Sequence, residues 1–213
     1  AVRAMAEPAA KRAKTEAAGK DEAAAGEKVA DAEKEEPTAP VEKEADAKPD
    51  KSPRVKDPLV FHTQDTTINV MQGSCASVLL PLTDGGMQYL LAGARASVGL
   101  KSGRYMFEAK IVEVMNPADD PASRQRTPMP RSQLRIGFST AGSSLVIGDT
   151  EDSIGFDTEG LLLHNKARTP CSQKFGSDIV VSVLLNLESS GPNAGTLSFF
   201  KDGQRASQPQ PLP

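Results

Sequence analysis

The sequence predicts an all-β fold, an antiparallel β-sandwich over residues 59–213, carried behind a disordered, charged N-terminal tail over residues 1–58. Three observations predict it. Apolar and polar residues alternate with period two in stretches such as 103–111, the mark of a strand with one buried face. Turn-forming groups recur between such stretches, at Asp84-Gly85-Gly86, Lys101-Ser102-Gly103, Ser190-Gly191-Pro192 and Asp202-Gly203. No segment combines helical periodicity with caps, and many short antiparallel strands imply a sandwich or a barrel.

The tail comes first in the chain. Residues 1–58 hold 12 of the 25 Lys and Arg and 14 of the 28 Asp and Glu, with no aromatic residue before Phe61. Such a stretch buries too little apolar surface to offset the entropy of ordering it. Ala, Glu and Lys favour transient helix over residues 22–36. No apolar stripe would dock such a helix, and Pro37, Pro40, Pro49, Pro53 and Pro58 interrupt it. Within the tail, Lys11, Arg12 and Lys14 follow Pro8 and place three cations in four positions. An extended basic cluster suits the acidic groove of a nuclear import receptor. The cluster is similar to nuclear localisation signals of the Myc type, which implies a nuclear protein.

The folded part carries 13 basic and 14 acidic residues. A near-neutral balance gives no large field to steer it toward nucleic acid or anionic lipid. No apolar run approaches the ~20 residues that span a bilayer. Cys75 and Cys171 lie too far apart for a metal-binding spacing or a disulfide framework and are read as buried free thiols, with no metal and no cofactor implied.

Taken in order, residues 66–72, 76–82 and 88–92 are short strand candidates. In residues 103–111, Tyr105, Phe107, Ala109 and Ile111 face inward and Arg104, Met106, Glu108 and Lys110 outward. Residues 133–139 repeat this with Leu134, Ile136 and Phe138 inward. Residues 179–187 are almost continuously apolar, as a central strand covered on both faces is, and Ile179, Val180 and Val181 favour strand over helix. Residues 196–200 run into Asp202-Gly203, a tight hairpin. The loop 116–132, with four prolines, is long for a connection between strands.

Four ordered blocks resemble the SPRY family. Residues 103–111 (GRYMFEAKI) are similar to its G-x-Y-Y-F-E-V-x-I strand, and residues 134–139 (LRIGFS) to V-R-I-G-W-S with Phe138 at the tryptophan. Residues 145–157, Leu-Val-Ile-Gly followed by Ser-Ile-Gly-Phe-Asp, resemble L-x-L-G…S-Y-G-Y. Residues 200–204 (FKDGQ) resemble the Y-K-N-G-x hairpin. Within the family the pattern looks most like the heterogeneous nuclear ribonucleoprotein U group. The resemblance implies two antiparallel sheets whose end loops bind a protein or peptide partner without catalysis, in an adaptor of a ribonucleoprotein or chromatin complex. The chain has no Trp, and family members continue past the hairpin with further strands. The C-terminal strands are therefore expected to be missing, leaving an open sheet edge.

The resemblance places partner binding at residues 93–100, 140–145 and 149–152, with Arg95, Ser97, Ser143, Ser144, Asp149 and Glu151 as contact residues. Arg95 suits an acidic or amide group, and Arg95→Glu is expected to weaken the partner while leaving stability nearly unchanged. Other chemistry is weaker. Asp149, Glu151 and Asp152 are the densest carboxylates, yet a glycosidase needs two on opposite sides of a bond; a carbohydrate-active sandwich enzyme is the less favoured alternative. Arg124, Arg126, Arg131 and Arg135 form a basic cluster without interleaved aromatics, so RNA contact is not supported by this fragment. His62 and His164 have no partner readable in the sequence and are read as structural or exposed.

Overall fold

The computed structural model describes residues 42–43, 55, 58–73, 77–114 and 133–213. Readings on the rest of the tail (Lys11, Arg12 and Lys14 included), on Cys75, and on Arg124, Arg126 and Arg131 of the 116–132 loop fall outside the described residues. Among those described, the strands run β1 (Phe61–Thr66), β2 (Val70–Gln72), β3 (Leu79–Pro81), β4 (Ala94–Ala96), β5 (Arg104–Ile111), β6 (Arg135–Ser139) and β7 (Ser153–Asp157). There follow β8 (Leu161–His164), β9 (Ala167–Pro170), β10 (Ile179–Asn186), β11 (Thr196–Lys201), β12 (Gln204–Arg205) and β13 (Gln210–Pro211). The one helical element among them is a 3-10 turn, Met87–Tyr89. The predicted all-β antiparallel fold is the observed one.

Two sheets form the body. One has the order β12-β11-β10-β5, with β13 also on β11; the other runs β6-β7-β8-β9. Both are antiparallel. Between them pack Ile111, Ile136, Ile154, Phe156, Phe175, Val181, Val183, Leu185, Leu197 and Phe199. Phe199 anchors this layer, with ring centroids 4.9 Å from Phe156 and 5.1 Å from Phe175. Each fully buried side chain of this size is worth about 1.5–3 kcal/mol. The inward and outward assignment of β5 holds from Tyr105 to Ile111, while Arg104 at its start is half-buried. In β10 every residue from Val181 to Asn186 is buried, the central strand covered on both faces that its apolar run predicts.

Three readings are corrected. Residues 66–72 do not form one strand: a turn divides them, because buried Asn69 accepts from Thr67 Oγ1 at 2.7 Å and donates to the Leu90 carbonyl at 3.3 Å. Residues 88–92 are not a strand but the end of the 3-10 turn and extended chain, with Leu90 and Leu91 exposed. Leu134 precedes β6 and is exposed instead of facing inward.

Two further features shape the body. Gly137 and Gly155 pair directly across β6 and β7. A Cβ on Gly137 would stand 2.2 Å from the Ile154 carbonyl oxygen, and one on Gly155 2.5 Å from that of Ile136, so the close approach of these strands requires both glycines. Past the hairpin at Asp202 and Gly203, the chain turns back along β11. β12, β13 and bonds between Phe199 and the segment Ala206–Ser207 occupy its outer edge, so β11 is not left bare.

Candidate functional site

The connection 140–152 joins β6 to β7, and the turn at Asn165 and Lys166 joins β8 to β9 at the same end of the sheet. Backbone bonds tie these segments together: Thr140 N–H to the Asp152 carbonyl at 2.9 Å, Asn165 N–H to Thr150 at 3.2 Å, and Lys166 N–H to Gly148 at 2.7 Å. The segment around β4 joins them through Arg95. At the opposite end, Lys174 pairs with Glu159 and its carbonyl accepts from Lys201, while Asp178 N–H donates to Ile111. The three loop segments singled out from the sequence therefore share one rim.

Arg95 is the clamp of that rim. Its Nε donates to Ser139 Oγ at 3.0 Å and its Nη1 pairs with Asp65 Oδ1 at 3.0 Å. Nη2 donates to the Ser143 carbonyl at 2.6 Å, to Ser143 Oγ at 3.1 Å and to the Ser144 carbonyl at 3.3 Å. The side chain is only 15% exposed. A planar fork answering acceptors on three segments is a role that Lys cannot take. The expectation that Arg95→Glu leaves stability nearly unchanged is thus corrected, since the guanidinium is committed to holding the loop.

The other named residues divide by environment. Ser97 is exposed, but its Oγ accepts from Val60 N–H at 3.2 Å and its own N–H donates to the Val60 carbonyl, fixing β4 to the chain before β1. Ser143 Oγ donates to the Thr140 carbonyl at 2.8 Å, and Ser144 Oγ accepts from Val146 N–H at 3.1 Å. Asp149 pairs with Arg135 at 2.9 Å. Glu151 is exposed and makes no hydrogen bond or ion pair among the described residues. The exposed Asp152 accepts from Thr140 Oγ1 at 3.3 Å. His164 Nδ1 lies 3.0 Å from the Ser153 carbonyl, a structural bond within the sheet.

A depression was missed by sequence reasoning. Arg135, Gly148, Asp149, Leu163, Lys166, Ala167 and Arg168 line about 180 Å³ on the outer face of the β6–β9 sheet, next to the rim. Arg135 Nη1 also donates to the Ile147 carbonyl at 2.8 Å, which holds the 147–149 segment over the sheet. The signal was Asn165-Lys166 just past the short apolar run at 161–163, a two-residue turn whose φ angles of 45° and 65° are both left-handed. Elsewhere, burial pushes the Cys171 thiol up despite a backbone hydrogen bond at Leu162, so it stays protonated at neutral pH. Among the described residues no group of three His, Cys, Asp or Glu could hold a metal ion, and no helix is long and apolar enough to cross a membrane.

No family model matches the chain. It is 32% identical over 124 residues to heterogeneous nuclear ribonucleoprotein U-like protein 2 of Mus musculus, covering 58% of the chain and 15% of that protein. To the Homo sapiens protein of the same name it is 29% identical over 166 residues, covering 78% of the chain and 21% of that protein. The chain thus spans only a small part of these relatives' length. The SPRY domain of human HERC1 is a similar solved structure, with a TM-score of 0.48 and 18% identity, covering 70% of this chain and 78% of that one. The resemblance read from the sequence is borne out by the relatives, which carry the ribonucleoprotein U-like name.

Proposed function

We propose that this chain is the SPRY-type binding module of a nuclear protein, docking a peptide or protein segment on the rim formed by residues 93–97, 140–145 and 149–152, without catalysis. The observation that carries the reading is the Arg95 clamp, which joins three chain segments through Asp65, Ser139, Ser143 and Ser144. A rim fixed in this way loses little entropy when a partner binds, and it presents Ala141, Glu151 and Asp152 to solvent. The carboxylates there sit in one turn, and Asp149 is already paired with Arg135, which favours recognition over hydrolysis. Lys11, Arg12 and Lys14 supply the address for a nuclear import receptor. The names of the relatives favour membership of a ribonucleoprotein complex, reached through protein contact and not through RNA bound by this near-neutral domain.

Affinity capture from nuclear extract tests the reading. The wild-type chain is expected to retain a defined set of proteins after RNase treatment, and Ala141→Arg and Glu151→Lys are expected to lose them with unchanged melting temperature. Equal retention by both variants would move the site off this rim, and loss of all retained protein with RNase would make RNA the partner.

A further inference from the structure

Strand β9 is the outer edge of its sheet, and all four of its residues are exposed. Its pairing with β8 is fixed by a two-residue turn, so His164 and Ala167 are the first hydrogen-bonded pair. Bonded pairs then alternate along the ladder, through Leu162 and Thr169 to Gly160 and Cys171. The Cys171 N–H does donate to the Gly160 carbonyl, at 3.2 Å. Arg168 lies at an unbonded position opposite Leu163, so its own N–H and C=O point away from β8, toward open solvent. Its side chain shares the outer face of the sheet with Leu163 and stands at the depression lined by Arg135, Lys166 and Asp149.

The charges at this edge are unequal. Arg135 is neutralised by Asp149. Lys166 and Arg168 are exposed and have no ion-pair partner among the described residues. An edge strand with free backbone groups is a template for strand addition, and here two unpaired cations stand beside the free groups. Pro170 ends the pairing stretch, since it offers no N–H, so the added strand is short and depends on side-chain contacts for affinity.

We propose that β9 captures an extended acidic peptide as an added strand, its backbone on Arg168 and its carboxylates on Lys166 and Arg168. The proposal rests on the reading of the chain as a binding module and extends its surface from the rim onto the adjoining sheet edge. Glu151 and Asp152 follow Thr150, whose carbonyl accepts from Asn165 N–H, and they repel the carboxylates and so keep the acidic side chains over β9.

A short fluorescein-labelled peptide alternating Glu and Val is the probe, with one alternating Lys and Val as its control, followed by anisotropy at physiological salt. The acidic probe is expected to bind and the basic one not. Lys166→Glu with Arg168→Glu should weaken it about tenfold or more. Arg168→Pro separates charge from backbone. It removes only an outward N–H, leaving the β8–β9 hydrogen bonds in place, so it should bind more weakly than Arg168→Ala. Amide shifts in NMR should be confined to residues 166–169 and their neighbours, which also shows that each variant is folded. Equal binding by Arg168→Pro and Arg168→Ala, or displacement of the probe by an RNA oligonucleotide, overturns the proposal. No binding of the probe while Ala141→Arg still abolishes capture overturns it and leaves the rim reading standing. Loss of both overturns both.

Discussion

Between Gly93 and Gly99, Arg95 reads from sequence as a surface arginine free to meet a partner, yet in the folded chain its guanidinium is spent on Asp65, Ser139, Ser143 and Ser144. Sequence locates the loop but not the direction of the side chain, because the acceptors lie 30 to 49 residues away in the chain. Arg95→Ala leaves those acceptors unanswered in a half-buried setting. We expect it to lower unfolding free energy by about 2 kcal/mol, measured by urea denaturation, and Arg95→Lys to recover only part. A variant as stable as wild type would show that the clamp holds nothing. The glycine of the LRIGFS block was legible as a family position, but its reason is geometric. Gly137→Ala drives a Cβ into the backbone of β7. The expected cost is about 3 kcal/mol or more, seen as a collapse of the thermal transition.

At the scale of elements, alternation found β5 and β6, each with one apolar face, while β10 was found by its continuous apolar run and β11 by the hairpin that follows it, both being buried on both faces. It failed at residues 88–92, where apolar residues stay exposed, and it passed over β9, whose residues are all exposed and carry no burial signal. Two residues of the stretch before residue 59, Glu42 and Lys43, also meet the sandwich. Arg205 is almost fully buried, lies 4.7 Å from the Phe200 ring centroid and pairs with Glu42 at 2.8 Å. The Lys43 carbonyl accepts from Asn193 Nδ2 at 3.0 Å, and its ammonium meets Gln208. No sequence pattern marks one glutamate among the fourteen acidic residues of 1–58 as the partner of an arginine far along the chain. Glu42→Ala removes a carboxylate from a buried cation. It should cost about 1.5–3 kcal/mol, more than Glu44→Ala, and equal melting temperatures for the two would contradict the pairing.

For the whole molecule, the sandwich was legible, since ordered blocks along 103–204 encode both sheets. What stayed hidden was the division of labour at the rim, with Arg95, Ser143 and Ser144 holding the loop and Glu151 facing outward. The tail supplies a separate prediction. Replacing Lys11, Arg12 and Lys14 with Ala in a tail fused to a reporter too large to diffuse through nuclear pores should abolish its nuclear accumulation, scored by fluorescence microscopy. An unchanged nuclear signal would reduce the cluster to solvated charge.

The central claim is that the partner sits on the rim. Photo-crosslinking tests it most directly, with a photoreactive residue placed at Ala141, at Glu151, or at Glu113 beyond the far end of β5. In nuclear extract, Ala141 and Glu151 are expected to give the same cross-linked protein band and Glu113 none. A band from Glu113 with none from Ala141 or Glu151 would place the partner at the other end of the sandwich and contradict the account.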